Sequence, residues 1–153
     1  MNLVLRRGSI RDIENISKVE NRAFGVHAYD YQALRYMLGI ANSVTTVATL
    51  EGKIIGYATV FFRKKSKISH LESIAVDPDF QNAGVGKALM DEVEKISLEM
   101  NCSLIVLETF ERNVSALKLY ERSGFKATEV VPDYYNIPFD GSRNAIRFEK
   151  KIK

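Results

Sequence analysis

Apolar residues recur along this chain at two periods, and the switches between them mark the elements. Val4 to Arg6 reads as a short opening strand. The Ser9-x-x-Asp12 capping box then opens a helix in which Ile13, Ile16, Val19, Glu20 and Ala23 fall at helical spacing. A second short helix is expected over Tyr31 to Leu38, ended by Gly39. Val44 to Leu50 and Lys53 to Phe62 are strand-like, with Glu51-Gly52 as a tight hairpin turn between them. Ile68 to Val76 is the next strand. Helical spacing resumes from about Gly84 to Met100 through Leu89, Met90, Val93, Ile96 and Ser97. Leu104 to Glu108 reads as a buried strand, Val114 to Arg122 as a helix closed by Ser123-Gly124, and Phe125 to Val130 and Asn144 to Lys151 as the last strands. No repeat, linker or low-complexity segment interrupts this order, so residues 1–153 are expected to form one mixed α/β domain.

Composition narrows the class of protein. With 153 residues, 46% hydrophobic and 27% charged, the chain is long enough to bury one substantial core and has the balance of an ordinary globular domain. A net charge of +3 gives no reason to expect nucleic acid. The Arg63-Lys64-Lys65-Ser66-Lys67 run reads as a solvated hairpin tip. Cys102 is the sole cysteine, which rules out an internal disulfide and points to a reducing compartment, the cytoplasm. Neither a signal peptide nor a run of about 18 apolar residues is visible, so no membrane partner is expected. No metal site is expected.

The chemistry concentrates where the Ile68–Val76 strand runs into the next helix. Gln81-Asn82-Ala83-Gly84-Val85-Gly86 is a Gln-x-x-Gly-x-Gly run opening directly into a helix. Glycines there let a ligand approach the backbone, and the first N–H groups of a helix lack intrahelical partners and can hold phosphate oxygens. A P-loop is excluded because Gln81 stands where Gly is needed and Ala88, not Ser or Thr, follows Gly86-Lys87. A dinucleotide fingerprint is excluded because Leu89 occupies the third glycine position. With Ile74-Ala75-Val76-Asp77-Pro78 just ahead, the loop resembles the acetyl-CoA pyrophosphate loop of the GCN5-related N-acetyltransferases (GNAT). Asn113 to Phe125 resembles a second element of that superfamily, N-x-x-A-x-x-L-Y-x-x-x-G-F, as an amphipathic helix with Ala116, Leu119 and Tyr120 on one face.

The resemblance implies the GNAT fold, a central mixed and largely antiparallel sheet flanked by about four helices, with acetyl-CoA as cofactor. It implies that Ile74, Ala75, Val76, Gln81, Asn82, Ala83, Gly84, Val85, Gly86, Lys87, Asn113, Ser115 and Tyr120 line the cofactor. Transfer of acetyl from a thioester to an amine needs a neutral amine, a polarised carbonyl and a proton for the departing thiolate. Family members place the Tyr of the Leu-Tyr element near the CoA sulfur, so Tyr120 is implied as general acid. Three residues compete as general base. Glu108 ends a buried strand and ranks first. Glu72 ranks second and His70 third; alternation places both on one face of their strand with Ile74. Leu107-Glu108-Thr109-Phe110 matches only the Leu-Glu of the Leu-Glu-Val-Arg segment found in ribosomal-protein alanine acetyltransferases.

Two aromatic segments bear on the substrate. Phe24 to Tyr31, with Phe24, His27, Tyr29 and Tyr31, lies where protein N-terminal acetyltransferases wall the peptide entrance, although Phe24-Gly25 replaces their Phe-Pro. Tyr134-Tyr135 resembles the Tyr-Tyr segment that holds substrate backbone in the same branch. Aromatic walls with polar tips suit a peptide cleft. The implied reaction is acetylation of protein N-terminal α-amines, of the ribosomal-protein alanine and Ard1 type. The implied partners are peptides, ribosomal proteins or nascent chains, with the protein a monomer or homodimer. An acetyltransferase for a small amine (a polyamine, antibiotic or amino acid) remains an alternative, with Asp30, Asp133 and Asp140 available to a polyamine, as does a non-catalytic acetyl-CoA-binding module.

Overall fold

Among the described residues, runs of β-branched and aromatic residues build seven strands: β1 Leu3–Arg7, β2 Ser43–Leu50, β3 Lys53–Phe62, β4 Ile68–Val76, β5 Leu104–Phe110, β6 Lys126–Val131 and β7 Ala145–Lys151. The helices are α1 Ile13–Phe24, α2 Tyr31–Gly39, α3 Val85–Glu99 and α4 Val114–Arg122. The computed structural model describes residues 2–63 and 65–153; Met1 and Lys64, the latter within the expected basic hairpin tip, lie outside the described residues. The capping box forms as read, with Asp12 accepting from the Ser9 N–H at 3.0 Å, but it opens a single 3-10 turn, Ile10–Asp12, that continues into α1. Strand β5 extends beyond Glu108 because Thr109 and Phe110 find partners in Ile146 and Ala145 of β7.

The strands form one sheet in the order β1-β2-β3-β4-β5-β7-β6. Every neighbouring pair is antiparallel except β4 and β5. Helices cover both faces. On one, Ile13, Ile16 and Val19 of α1 and Leu34 and Met37 of α2 pack against Val47, Ile54, Tyr57 and Ala75. On the other, Val85, Leu89, Met90, Val93 and Ile96 of α3 join Leu71, Ile105, Leu107, Tyr120 and Phe148. Seven consecutive residues of β3, Ile54 to Val60, are therefore buried, as a strand covered on both faces requires. Gly56 permits the close seat of α3: a Cβ there would lie 3.0 Å from the Ala75 carbonyl and 3.3 Å from Leu89 and Val85.

Two features of β4 create the site. Its pairing with β5 covers only Ile68, Ser69 and His70, after which the two strands part and a gap opens between them. The register to β3 also slips at Glu72, which is skipped between Leu71↔Val60 and Ser73↔Thr59. Such a bulge bends a strand and re-aims its side chains. It corrects the simple alternation expected for this segment: Ile74 joins the core on the α3 face, while Ser73 bonds Tyr57 on the α1 face. His70 and Glu72 nevertheless meet, because the bulge turns Glu72 toward its neighbour.

Candidate active site

The loop after β4 is held at both ends. Arg22 of α1 pairs with the buried Asp77 (Nε to Oδ2, 3.0 Å), and the Gln81 amide donates to the Val76 carbonyl at 3.2 Å. Gly84 has φ +85°, a left-handed conformation that costs a residue with a Cβ, and nothing lies within 4 Å of where that Cβ would stand. Gly86 differs: its φ is ordinary, and a Cβ there would touch Leu119 at 3.4 Å. The first intrahelical bond of α3 runs from the Ala88 N–H to the Gly84 carbonyl at 3.0 Å. The N–H groups of Val85, Gly86 and Lys87 therefore precede any intrahelical acceptor and can receive an anion. The Lys87 ammonium pairs with Asp91 one turn along. Across the gap, Asn113 caps α4 by accepting from the Ala116 N–H at 3.3 Å, and the Ser115 hydroxyl donates to the same oxygen at 3.1 Å.

The three candidate bases, separate in sequence, form one hydrogen-bonded chain. His70 sits between two carboxylates, with Nε2 2.7 Å from Glu108 Oε1 and Nδ1 3.1 Å from Glu72 Oε2. An imidazole can donate from both nitrogens only when protonated. Burial opposes that charge, but the bonds to Glu108 and then Glu72 outweigh it and raise the His70 pKa to about 9. The His70 bond chiefly, aided against burial by the Arg147 guanidinium, holds Glu108 down at about 2. Glu72 is lowered in the same way, with His70 as the main cause. Arg147 donates from Nε to Glu108 Oε2 at 2.9 Å and also pairs with Glu129. The hydroxyls of Tyr134 and Tyr29 cap the chain on Glu108 Oε1 (3.2 Å) and Glu72 Oε1 (3.0 Å). Charges thus alternate from Glu129 of β6 through Arg147 of β7 and Glu108 of β5 to His70 and Glu72 of β4.

Aromatic side chains enclose this row. Phe110 stacks on Tyr135 with ring centroids 3.7 Å apart, and His27 meets Phe110 edge-on at 4.9 Å while bonding the Pro138 carbonyl at 2.9 Å. The α1–α2 and β6–β7 connections are thereby joined over the end of β5. Reciprocal bonds between Tyr135 and Arg143, 3.0 and 2.8 Å, hold the second connection in shape. Phe24 instead packs against the α1–α2 core, and Tyr31, 46% exposed, begins α2; neither joins the cluster. Tyr120 lies on the opposite, α4-covered face between Phe125 and Phe148, and burial raises its pKa above the ordinary tyrosine value.

Several participants escape a reading of the sequence. Arg147 and Glu129 face Glu108 only because of strand register, which no local pattern displays. Phe110 stands where the resembled segment carries Arg, and becomes the stacking partner of Tyr135. Glu20, 1% exposed, accepts from the Tyr57 hydroxyl at 2.5 Å and the Tyr29 N–H at 2.9 Å, and burial raises its pKa. An acidic residue at a core phase of a helix was the available signal for it.

Residues 10–125 match the Acetyltransferase (GNAT) family, and the chain belongs to it. Among curated relatives, an uncharacterised N-acetyltransferase of Methanocaldococcus jannaschii is 27% identical over 97% of this chain and 92% of its own length. A glucosamine 6-phosphate N-acetyltransferase of Trypanosoma brucei brucei is 34% identical over 69% of this chain and 72% of its own. An N-alpha-acetyltransferase of Sulfurisphaera tokodaii is 29% identical over 86% and 84%. Among solved structures, the ribosomal-protein-S18-alanine N-acetyltransferase of Escherichia coli superposes with a TM-score of 0.88 at 24% identity, covering 99% of this chain and 94% of that one. Ard1 from Thermoplasma volcanium superposes at 0.83 with 25% identity, covering 100% and 99%.

The protein is accordingly an N-acetyltransferase that uses acetyl-CoA, and the alternative of a non-catalytic module is set aside. The gap between β4 and β5, the helix-start N–H groups and the uncrowded surface at Gly84 fit such a ligand. Among the described residues, no helix is long and apolar enough to cross a membrane.

Proposed function

We propose that this acetyltransferase acts on the α-amines of protein N-termini. The observation that carries this reading is the aromatic enclosure: two connections close over β5 and bring Tyr29, Tyr134 and Tyr135 to the Glu108 row. Stacking on Phe110 fixes the Tyr135 ring, which supports a role for its hydroxyl in bonding peptide backbone. Likeness to the S18-alanine enzyme and Ard1, and to an N-alpha-acetyltransferase, supports the same class. Ribosomal proteins or nascent chains are the natural acceptors. The lone, buried Cys102 suits a cytoplasmic setting.

Acetyl-CoA supplies the acetyl group as a thioester. Val85, Gly86 and Lys87 would hold its phosphates through their N–H groups, while Ile74, Ala75 and Val76 would form the β4 side of its site. An α-amine near pKa 8 is about a tenth neutral at pH 7, against about one part in two thousand for a lysine, so the site mainly has to select and orient it. Glu108 accepts an N–H of the amine and turns its lone pair toward the carbonyl. Held at about 2, Glu108 is a poor base toward a free ammonium. Glu108 would take the nitrogen's proton, directly or through water, as acylation makes it far more acidic than in the free amine. His70 and Glu72 keep Glu108 oriented and ionised. Tyr120, kept protonated by its burial, would act as general acid chiefly through a hydrogen bond to the departing thiolate, which at a pKa of about 8.5 needs little help.

The 34% identity to a glucosamine 6-phosphate acetyltransferase favours a small amine as second reading. The carboxylates a polyamine would need do not join the Glu108 row: Asp30 caps α2 through the Ala33 N–H, and Asp133 faces Arg143. Thiol release from acetyl-CoA across N-terminal peptides, lysine peptides, polyamines and glucosamine 6-phosphate separates these readings. N-terminal peptides should give the highest specificity constant, and faster turnover of any other class would reject the proposal.

A further inference from the structure

The Glu108 side chain is only 7% exposed, and both of its oxygens are engaged. Oε1 faces β4 and the gap, where His70 and Tyr134 reach it. Oε2 faces away from the gap, where its partner is Arg147, directly across the β5–β7 ladder. A carboxylate tied at one oxygen can still rotate about its last torsion, whereas one tied at both is fixed in plane. Arg147 is itself held. The register of β6 slips so that Thr128 is skipped and Glu129 falls opposite Arg147. Without that extra residue Glu129 would project from the other face of the sheet. Every residue of β6 from Lys126 to Val130 is exposed, so burial does not explain this placement.

We propose that Arg147, steadied by Glu129, is a positioning residue for acetyl transfer: it clamps Glu108 Oε2 so that Oε1 presents to the amine entering between β4 and β5. This rests on Glu108 acting on the amine, as proposed above. Removing the clamp leaves Glu108 free to turn and takes one of two cations from its side. The groups around Glu108 are then His70 from β4, with Glu72 beyond it and Tyr29 of the α1–α2 connection bonded to Glu72, and Tyr134 and Tyr135 from the β6–β7 connection, while Glu129 of β6 loses its partner.

The test uses the full chain with an N-terminal peptide acceptor and compares Arg147→Met, Arg147→Lys, Glu108→Gln and the Arg147→Met/Glu108→Gln double variant. Steady-state kcat and KM for the peptide, acetyl-CoA binding and thermal melts are recorded for each. Arg147→Met should lower kcat about tenfold while KM for the peptide and acetyl-CoA affinity hold, since the clamp aims Glu108 rather than binding either substrate. Arg147→Lys, which keeps the cation, should restore kcat to within about threefold of the parent. The double variant should be no slower than Glu108→Gln alone, because there is then no carboxylate to position. A near-normal kcat in Arg147→Met, a Lys variant as slow as the Met variant, or losses that multiply in the double variant would overturn the inference and leave the Glu108 reading standing. Full activity of Glu108→Gln would overturn both. If Arg147→Met does not fold, Glu129→Gln replaces it, with a smaller fall in kcat at unchanged KM expected and an unchanged kcat counting against the proposal.

Discussion

Replacing His70 by Asn removes the cation that joins Glu72 to Glu108, and the consequence for stability has a definite sign with pH. The folded protein raises the His70 pKa from 6.5 to about 9. A shift of that size corresponds to about 3.4 kcal/mol at 1.36 kcal/mol per pH unit. The imidazole retains 30% exposure, so solvent screening reduces the contribution to about 1.5 kcal/mol. The depressed pKa of Glu108 is largely the same interaction seen from its partner and is not added. Because the folded-state value is raised, the contribution is fully present below pH 6.5 and is lost as pH rises through 9. Urea denaturation of the parent and His70→Asn proteins between pH 6 and 9.5 isolates it, since every other titrating group cancels in the difference. The parent should be about 1.5 kcal/mol the more stable at pH 6, or about 3 to 6 °C in Tm, and this advantage should fade by pH 9.5. A difference that stays constant across the window would refute the imidazolium between two carboxylates.

Gly86→Val should raise the acetyl-CoA dissociation constant at least about tenfold by calorimetry while the fold persists, because its branch crowds Leu119 and the helix-start N–H groups; unchanged affinity would sink the phosphate-loop assignment. Tyr135→Phe keeps the ring stacked on Phe110, so Tm should hold while kcat/KM for an N-terminal peptide falls about two- to twelve-fold, the worth of one neutral hydrogen bond. Slow acetylation of a short amine should be nearly unaffected, and equal losses on both substrates would place this hydroxyl at the reacting centre instead.

Period, caps and glycines were enough to read nearly every element, because each is a local property. Ser9 and Asp12 bond one another three residues apart, and the helical spacing of α3 needs no distant partner to be visible. The Gly84 turn belongs to the same kind, since a left-handed backbone before a helix demands its residue type locally. The site is legible only in part. Glu108, His70 and Glu72 could be named as candidates, but they read as rivals, and three groups of one chain became one charged row only when β4 met β5. The bulge at Glu72 broke the two-residue alternation that an unbroken strand would give His70, Glu72 and Ile74, because register to β3 is set by packing on both faces of the sheet. Arg147 and Glu129 show the limit most plainly: both look like solvated strand residues, and their roles follow from which strands lie side by side. What a residue's own neighbours along the chain can satisfy was determined by the sequence read alone. What depends on pairing between strands 38 or 39 residues apart, as His70 with Glu108 and Glu108 with Arg147, was decided by the tertiary structure.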